Sequence, residues 1–224
     1  MPKDIKIKFC GFTNLEDTQA AVDLGVDYLG FIIEVPQSKR NVSIEKFLEI
    51  CRNIKKKNET KIVAVLVNMK KEKIDLLVNS GFVDIIQFHG DEDKKLCKEY
   101  KKKRIEIWKV FNINENLEID KQVEEILEFI DSTDKILLDA TTIKEKEQGQ
   151  VNRFLADSIG FQVWQKLKEK NFKLVLAGGI NARNIYFYLK EFQPKTVDLI
   201  TGVEDSPGKK SLTKMLEFMR IIKR

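Results

Sequence analysis

The sequence predicts an α/β fold, a closed (β/α)8 barrel, from three observations. Short apolar runs recur at regular intervals, and the segments between them have helical spacing and charged faces. Strands that alternate with helices are typical of a parallel sheet with helical crossovers. Eight such units in 224 residues suit a closed barrel at the small end of its size range. The eight runs are residues 5–10, 28–33, 62–68, 84–89, 105–111, 136–139, 174–178 and 197–202.

We expect one TIM-barrel domain over residues 1–224, because barrels are long for single domains and the sequence contains no linker or low-complexity segment. Most of the apolar runs end in a reactive, polar or glycine residue. Barrels of this kind carry their chemistry at the C-terminal ends of the strands. The ends of the runs are therefore the first places to look for a site.

Local signals place helices between the runs. Asn14 is a suitable N-cap with Asp17 three residues later, and Gly25 is positioned to end that helix. Residues 70–80 carry apolar side chains at helical spacing and are followed by Gly81 as a stop signal.

The last helix and one long loop complete the pattern. Ser211 is predicted to open a helix whose apolar face comprises Leu212, Met215, Leu216 and Met219. Residues 141–153 form a long polar stretch after the sixth run. A loop of that length inside a compact domain is usually functional or mobile.

Composition limits the class of protein. No run approaches the ~18 apolar residues of a membrane span, and the N-terminal segment lacks the apolar core of a signal peptide, so we expect a cytoplasmic protein with no membrane partner. The three cysteines have no metal-ligand spacing, and His89 is the only histidine, which excludes a site with several histidine ligands. The net charge of +5 is distributed over lysines with interleaved acidic residues, which favours a solvated surface over nucleic-acid binding.

Strand alternation predicts which residues of the first run face inward. Ile5, Ile7 and Phe9 share one face that can pack under the helices, so Lys8 and Cys10 should point into the barrel. A nearby ammonium favours the thiolate form of a cysteine. A small buried hydrophobe is the alternative interpretation of Cys10.

Polar residues also end the fourth and sixth runs. Asp139 lies on the same face as Leu137, where a carboxylate serves either as a cap for the next loop or as an acid–base group, and the sequence favours neither. Gln87 and His89 share a face near one strand end. We predict that both contact the substrate, although a structural hydrogen-bonding role is the usual one for a single histidine.

Two glycine-containing turns follow the last two runs. Gly178 and Gly179 lie in the first turn, and Thr201 and Gly202 lie in the second. Barrels commonly build a phosphate site at these positions from backbone N–H groups and a helix N-terminus. After the second run, Arg40 could form a bidentate pair with a carboxylate, and a solvated loop arginine is the competing interpretation.

Taken together, the motifs resemble those of the phosphoribosylanthranilate isomerase family of tryptophan biosynthesis. The matching segments follow the family's order and cover nearly the whole chain. They are Lys-Phe-Cys-Gly-Phe-Thr at 8–13, Asp-Tyr-Leu-Gly-Phe at 27–31 with Ser38 and Arg40, Gln-Phe-His-Gly-Asp-Glu at 87–92, Leu-Leu-Asp-Ala at 137–140, Leu-Ala-Gly-Gly-Ile at 176–180 and Val-Asp-Leu-Ile-Thr-Gly-Val-Glu at 197–204.

The resemblance implies an Amadori rearrangement that needs no cofactor and no metal. Asp139 would protonate the ring oxygen of N-(5'-phosphoribosyl)anthranilate, and Cys10 would remove the proton from C2. Arg40 would hold the anthranilate carboxylate. Backbone at the two glycine turns would hold the phosphate, and Lys8, Gln87, His89 and Thr201 are the remaining predicted substrate contacts. The partner would be this small molecule, and the chain would be a monomer or a homodimer.

Three departures from the family pattern leave an alternative open. The glycine-rich turn that usually follows the sixth strand reads Lys-Glu-Lys-Glu-Gln-Gly-Gln here, Lys39 stands where proline is frequent, and Ser211 replaces an aspartate. The first departure supports a non-catalytic or repurposed phosphate-binding barrel, while retention of Cys10 and Asp139 opposes it. A sugar-phosphate epimerase is disfavoured because such enzymes use several histidines or carboxylates around a metal.

Overall fold

The computed structural model describes residues 5–55, 59–114, 116–139 and 158–223. Within them, eight parallel strands close into a barrel, which confirms the predicted (β/α)8 fold. These strands are β1 (Lys6–Cys10), β2 (Tyr28–Ile33), β4 (Lys61–Leu66), β5 (Ile85–Phe88), β6 (Glu106–Asn112), β7 (Lys135–Asp139), β8 (Leu174–Ala177) and β9 (Thr196–Leu199). Each of them lies within or overlaps one of the apolar runs.

The first strand closes the barrel by pairing on both of its edges. On one side Lys8 is in register with Asp198 of β9, and on the other side Cys10 is in register with Gly30 of β2. All of these pairings are parallel, so the C-terminal ends of the strands lie at one end of the barrel. The side chains that follow the strands are thereby brought to a common surface.

Eight α-helices are described, and most of them begin where the capping signals place them. Asn14 accepts a hydrogen bond from the backbone N–H of Asp17, and Gly25 adopts a φ of +75° just after that helix, as predicted. The helices are α1 (Leu15–Asp23), α2 (Ile44–Asn53), α3 (Lys71–Asn79), α4 (Lys94–Lys102), α5 (Ile119–Leu127), α6 (Ile159–Glu169), α7 (Ile185–Glu191) and α8 (Leu212–Ile222).

Four short elements were not predicted. Strand β3 (Asn41–Val42) extends the sheet beside β2, and a 3-10 helix spans Thr201–Val203. Strands β10 (Glu204–Ser206) and β11 (Lys209–Lys210) form an antiparallel hairpin in front of α8. This hairpin matters for the site because it places two charged side chains against the loop after β1.

One helix face was predicted incorrectly in part. Met215 and Met219 of α8 are buried, but Leu212 is 54% exposed and Phe218 is buried instead. Leu212 lies in the first turn, and the buried stripe runs through the later turns of α8. The long loop at 141–153 falls outside the described residues.

The hydrophobic core has two layers. The outer layer packs the outward faces of the strands under the helices and includes Ile7 and Phe9, as the alternation predicted. The inner layer fills the barrel and includes Cys10 and Leu137. The predicted orientation of the first strand is therefore confirmed.

The N-terminal end of the barrel is closed by one lysine among aromatic and acidic groups. The Lys135 Nζ donates to the hydroxyl of Tyr28 at 2.9 Å and lies 4.5 Å from the ring centroid of Trp108. The Trp108 indole N–H donates to Glu106, which also pairs with Lys61. Burial lowers the pKa of Lys135, and the Glu106 charge opposes this shift. This arrangement satisfies the polar groups at the bottom of the barrel.

Among the helices that the structure describes, none is long and apolar enough to cross a membrane.

Candidate active site

Lys8 and Cys10 lie inside the barrel near the C-terminal end of β1. Both side chains are buried, and the Lys8 Nζ donates to the Asp198 Oδ2 at 2.7 Å. Adjacent strands carry the two residues at the same register position, which accounts for the contact. A fully buried ion pair requires this kind of close geometry to offset the desolvation of two charges.

The ionisation of these groups is coupled. Burial alone would lower the pKa of Lys8, but the charges and hydrogen bonds of Asp198 and Cys10 together outweigh it and keep the pKa above its usual value, with the charge of Asp198 contributing most. Lys8 therefore remains an ammonium, as the sequence interpretation requires.

The thiol behaves differently from the sequence-based expectation. Burial raises the pKa of Cys10 above its usual value, and the positive charges of Lys8 and Lys210 lower it by less. In this structure Cys10 is thus held as a thiol, with two ammonium groups placed to stabilise a thiolate when one forms. A neighbouring ammonium favours the thiolate, as predicted, but burial is the larger effect.

The strand beside Cys10 is shaped to accommodate its sulfur. Gly30 is the registered neighbour of Cys10, and a Cβ added at Gly30 would lie 2.6 Å from the Cys10 Sγ. Such a contact is well inside van der Waals distance, so only glycine leaves the thiol in place.

Asp139 ends β7 two strands away from Asp198. Its registered neighbour is Ala177, whose own neighbour on the next strand is Asp198. Asp139 is half-buried, and its negative charge raises the pKa of Asp198 in addition to the effect of burial. The two carboxylates and Cys10 therefore border the same end of the barrel.

Gln87 and His89 lie near the C-terminal end of β5, as predicted. Gln87 is buried, and its Oε1 has no hydrogen-bond partner within the described part of the chain. The Oδ1 of Asp198 is in the same situation. Buried polar atoms without partners are rare in proteins, and here both belong to inward-facing residues of the barrel. His89 is half-buried, and its backbone N–H donates to Leu66.

Arg40 passes over the loop that follows β1. Its guanidinium donates to both carboxylate oxygens of Glu204, with Nη2 at 2.7 Å and Nε at 2.9 Å. Gly11 lies beneath it with a φ of +84°, and a Cβ at that position would be 2.7 Å from the Arg40 Cδ. The sequence alternative of a freely solvated arginine is therefore wrong, because the side chain is paired and only 19% exposed.

The glycine turns after β8 and β9 come together around one cavity. Gly179, Thr201 and Gly202 line a cavity of about 310 Å³, to which Arg183 and Lys214 contribute positive charge and Glu217 contributes negative charge. Gly178 and Gly179 both adopt positive φ values, of +101° and +62°. A Cβ at Gly202 would lie 2.0 Å from the carbonyl oxygen of Ile180, so the two turns approach more closely than any other residue permits. With two cationic side chains and one carboxylate, the lining carries a net positive charge that suits an anion.

A family model described as N-(5'phosphoribosyl)anthranilate (PRA) isomerase matches residues 7–220. The chain belongs to this family.

Relatives and solved structures agree with this assignment. The chain is 38% identical to the N-(5'-phosphoribosyl)anthranilate isomerase of Legionella pneumophila (strain Corby), covering 99% of this chain and 98% of that protein. It superimposes with a TM-score of 0.78 on a phosphoribosyl anthranilate isomerase in complex with reduced 1-(o-carboxyphenylamino)-1-deoxyribulose 5-phosphate, at 28% identity and covering 98% of each chain. A further match is a monomeric form of the dimeric phosphoribosylanthranilate isomerase from Thermotoga maritima, with a TM-score of 0.78, 30% identity and 98% of each chain covered.

Three charged residues of this family member were not singled out from the sequence as site residues. Asp198 pairs with Lys8, while Glu204 and Lys210 lie under Arg40. Asp198 shares a strand face with Thr196 and interrupts an apolar run, which was the available signal. Glu204 ends the motif at 197–204, but the sequence did not connect it or Lys210 with Arg40, because these contacts depend on a hairpin that brings distant segments together.

A second buried ion pair supports the loop that carries His89. The Lys109 Nζ lies 3.2 Å from Glu92 and donates to the carbonyl of Gly90. Glu92 in turn accepts from the backbone N–H groups of Asn68 and Gly90. The pair therefore fixes two neighbouring loops at the mouth of the barrel.

Replacement of Gly30 by alanine should lower kcat by about 10- to 100-fold, because the new methyl group must push the Cys10 sulfur out of place. We expect the fold to persist, since one methyl group is added within a closed sheet. Steady-state kinetics and a melting curve test this. Gly25→Ala is the control, because it has an unfavourable φ of +75° far from the thiol and should reduce stability without changing kcat. An unchanged kcat in Gly30→Ala would show that the position of the sulfur does not matter.

Proposed function

We propose that this isomerase converts the aminoaldose N-(5'-phosphoribosyl)anthranilate to the aminoketose 1-(o-carboxyphenylamino)-1-deoxyribulose 5-phosphate in tryptophan biosynthesis. Family membership supports the reaction. The arrangement at one end of the barrel carries the proposal further, because it combines a buried thiol beside an ammonium, a carboxylate across the opening and a glycine-lined anion cavity.

The rearrangement needs an acid and a base on different sides of the sugar. We assign the acid to Asp139, which would protonate the furanose oxygen and open the ring to a Schiff base. Cys10 as thiolate would then take the proton from C2, and the resulting enolamine would tautomerise to the ketose. Both groups would be regenerated by returning or receiving one proton, so the step requires neither a cofactor nor a metal.

We propose for Lys8 a role other than the direct substrate contact predicted from the sequence. Its side chain is fully buried and engaged with Asp198, so we propose that it stabilises the Cys10 thiolate electrostatically. Gln87 and Asp198 each have a buried oxygen without a partner in the described residues, and hydroxyl groups of the open-chain sugar would supply the missing donors.

The two ends of the substrate would be held on opposite sides of the opening. Gly178, Gly179, Thr201 and Gly202 would bind the phosphate, which suits the positive φ values of Gly178 and Gly179 and the close approach of the two turns. Arg40 would bind the anthranilate carboxylate. His89 would contact the substrate beside Gln87.

Other aspects of the function are also proposals. We propose that the chain forms one domain, is cytoplasmic, acts on this small molecule without nucleic-acid or membrane partners, and is a monomer or homodimer. The dimeric relative from Thermotoga maritima supports the second oligomeric state.

The direct test is fluorescence-monitored turnover of freshly prepared N-(5'-phosphoribosyl)anthranilate by the purified protein. We expect saturable conversion to the aminoketose without any added metal or cofactor. Absence of turnover by a folded protein would overturn the proposal and would favour the non-catalytic barrel instead.

Replacement of Gly202 by alanine tests the phosphate site. The added Cβ would overlap the carbonyl oxygen of Ile180, so the two turns must separate. The backbone N–H groups of the two turns could then no longer bind one phosphate together. We expect KM to rise about 10-fold or more and competitive inhibition by inorganic phosphate to weaken in parallel.

Gly81→Ala provides the control for this change. Gly81 has a φ of +74° and open space around its missing side chain, so alanine there strains the backbone without entering the site. It should lower the melting temperature and leave both KM and phosphate inhibition unchanged. Equal KM values for Gly202→Ala and Gly81→Ala would exclude the glycine turns as the phosphate site.

A further inference from the structure

Lys210 is a buried lysine whose charge acts on Cys10, but its contacts with Glu204 have no role in the proposed mechanism. Its side chain is fully buried, and its Nζ donates to the backbone carbonyl of Cys10 at 2.5 Å and to the Glu204 Oε1 at 2.9 Å. The hairpin register places Lys210 directly opposite Glu204, so backbone pairing itself fixes this contact.

The hairpin is attached to the loop after β1 at several points. The Thr13 hydroxyl donates to the carbonyl of Gly208, and the backbone N–H of Lys210 donates to Asp17 at 2.8 Å. The Gly208 N–H also points to Glu204. Lys210 and Glu204 are therefore held in a fixed position under Arg40, and a buried charge so firmly placed calls for an explanation beyond packing.

The contact with Glu204 occupies only one edge of the Arg40 guanidinium. A guanidinium can form two bidentate contacts, one through Nε and Nη2 and one through Nη1 and Nη2. Glu204 occupies the first of these, at 2.7–3.1 Å. Within the described residues, the Arg40 guanidinium makes no other hydrogen bond or ion pair, so its second edge remains for a ligand carboxylate.

Charge explains why Lys210 is needed. Arg40 and Glu204 alone form a neutral pair that would have little attraction for an anion. Burial lowers the pKa of Lys210, and the charge and hydrogen bond of Glu204 oppose this shift. With Lys210 as an ammonium, Glu204 is neutralised from below, so the three groups together carry one net positive charge at Arg40. Burial tends to raise the pKa of Glu204, but the hydrogen bonds and charges of Arg40 and Lys210 hold it below its usual value. Glu204 is therefore a carboxylate.

We propose that the Lys210–Glu204 pair orients Arg40 and gives it the charge to bind a ligand carboxylate, which makes Lys210 a specificity-determining residue that acts through Arg40. The inference rests on the proposed function and extends it by explaining how one arginine can hold a structural carboxylate and a substrate carboxylate together. Lys210 touches no reacting atom in this scheme, so it is a positioning residue.

The test compares two non-reactive ligands on the folded protein. One is reduced 1-(o-carboxyphenylamino)-1-deoxyribulose 5-phosphate, and the other is the same compound without its carboxyl group. The ratio of their Kd values isolates the carboxylate contact, because the phosphate and the sugar are common to both. We expect the wild-type protein to favour the carboxylate by about 10- to 100-fold.

Three variants then show whether the charge of Lys210 or its packing determines the ratio of Kd values. Lys210→Gln keeps a hydrogen-bond donor but removes the charge, so the net charge of the group falls to zero and the ratio should fall about 10-fold. Lys210→Gln combined with Glu204→Gln restores the net positive charge, and its ratio should return to within about 3-fold of wild type. Lys209→Gln is the matched control on the exposed neighbour and should change nothing. A purely structural role predicts the opposite order, with the double variant weaker than the single one.

Each outcome decides the proposal. A wild-type ratio in Lys210→Gln, a double variant no better than the single one, or a wild-type ratio near one would overturn it. If Lys210→Gln does not fold, Lys210→Met with and without Glu204→Gln gives the same comparison. Turnover of N-(5'-phosphoribosyl)anthranilate by the wild-type protein is measured alongside. Its absence would refute the proposed function, whereas turnover with the wrong pattern of ratios would refute this inference alone.

Discussion

Replacement of Cys10 by serine is expected to lower kcat by about 10²- to 10⁴-fold while leaving the barrel folded. The two side chains are nearly isosteric, and Cys10 packs in the inner layer of the core, where serine fits without a cavity. A hydroxyl is a far weaker acid than a thiol, so Lys8 and Lys210 could not produce a useful concentration of its anion. Binding of the reduced product analogue should change little, because the proposed contacts to phosphate and carboxylate lie elsewhere.

Cys97→Ser is the matched control for this change. Cys97 is equally buried, but it belongs to the outer layer under the helices, where burial raises its pKa to about 11. Serine there should reduce stability and leave kcat unaltered. If Cys10→Ser retained a kcat close to that of Cys97→Ser, Cys10 could not be the base.

Direct titration of the thiol checks the ionisation of Cys10 without relying on kinetics. Burial raises the pKa of Cys10, so the free protein carries a thiol at neutral pH and the fraction of thiolate increases as the pH rises toward that pKa. The difference in thiolate ultraviolet absorbance between the wild-type protein and Cys10→Ser should therefore be absent at neutral pH and grow in the alkaline range. A full thiolate signal already present at neutral pH would contradict a thiol that burial keeps protonated.

The strand faces and several helix ends were predictable, because both follow from patterns over a few neighbouring residues. Ile7 and Phe9 pack outward and Lys8 and Cys10 point inward, and simple alternation within one strand is sufficient to assign both faces. The capping residue Asn14 and the turn residue Gly25 act over three or four positions, which is a range that sequence patterns cover well.

The environment of Arg40 was not predictable in the same way. Glu204 is 164 residues away in sequence, and Lys210 contacts the carbonyl of Cys10 across 200 residues. Such contacts arise only after the barrel has closed, because β9 must first return beside β1. Motif spacing therefore located a positively charged side chain but not the carboxylate that orients it.

The direction of the pKa shift of Cys10 also could not be predicted from the sequence. Spacing revealed the neighbouring Lys8, and that ammonium does favour the thiolate. Burial opposes it and dominates, and burial depends on an inner layer to which several strands contribute side chains. The direction of a pKa shift in a closed barrel thus depends on tertiary structure more than on adjacent residues.

Asp139→Asn should reduce kcat by about 10²-fold or more and leave the affinity for the reduced product analogue nearly unchanged. Asparagine has the same shape but cannot deliver a proton to the ring oxygen, so ring opening would become limiting. Asp139 ends β7 at the mouth of the barrel and is half-buried, which allows a small polar replacement without repacking. Kinetics with the natural substrate and calorimetric titration with the analogue separate the two effects.

Asp134, just before β7, provides a control that separates a catalytic role of Asp139 from a structural one. Asp134 precedes β7, accepts the backbone N–H of Ile107 at 2.8 Å and pairs with Lys101, so it lies at the N-terminal end of the barrel. Asp134→Asn should cost about 1 kcal/mol of unfolding free energy and preserve kcat. If Asp139 were only a cap for the following loop, Asp139→Asn would behave like Asp134→Asn, with lower stability and normal turnover. Loss of kcat at unchanged stability is the result that a general acid requires, because only the chemical step then depends on the proton.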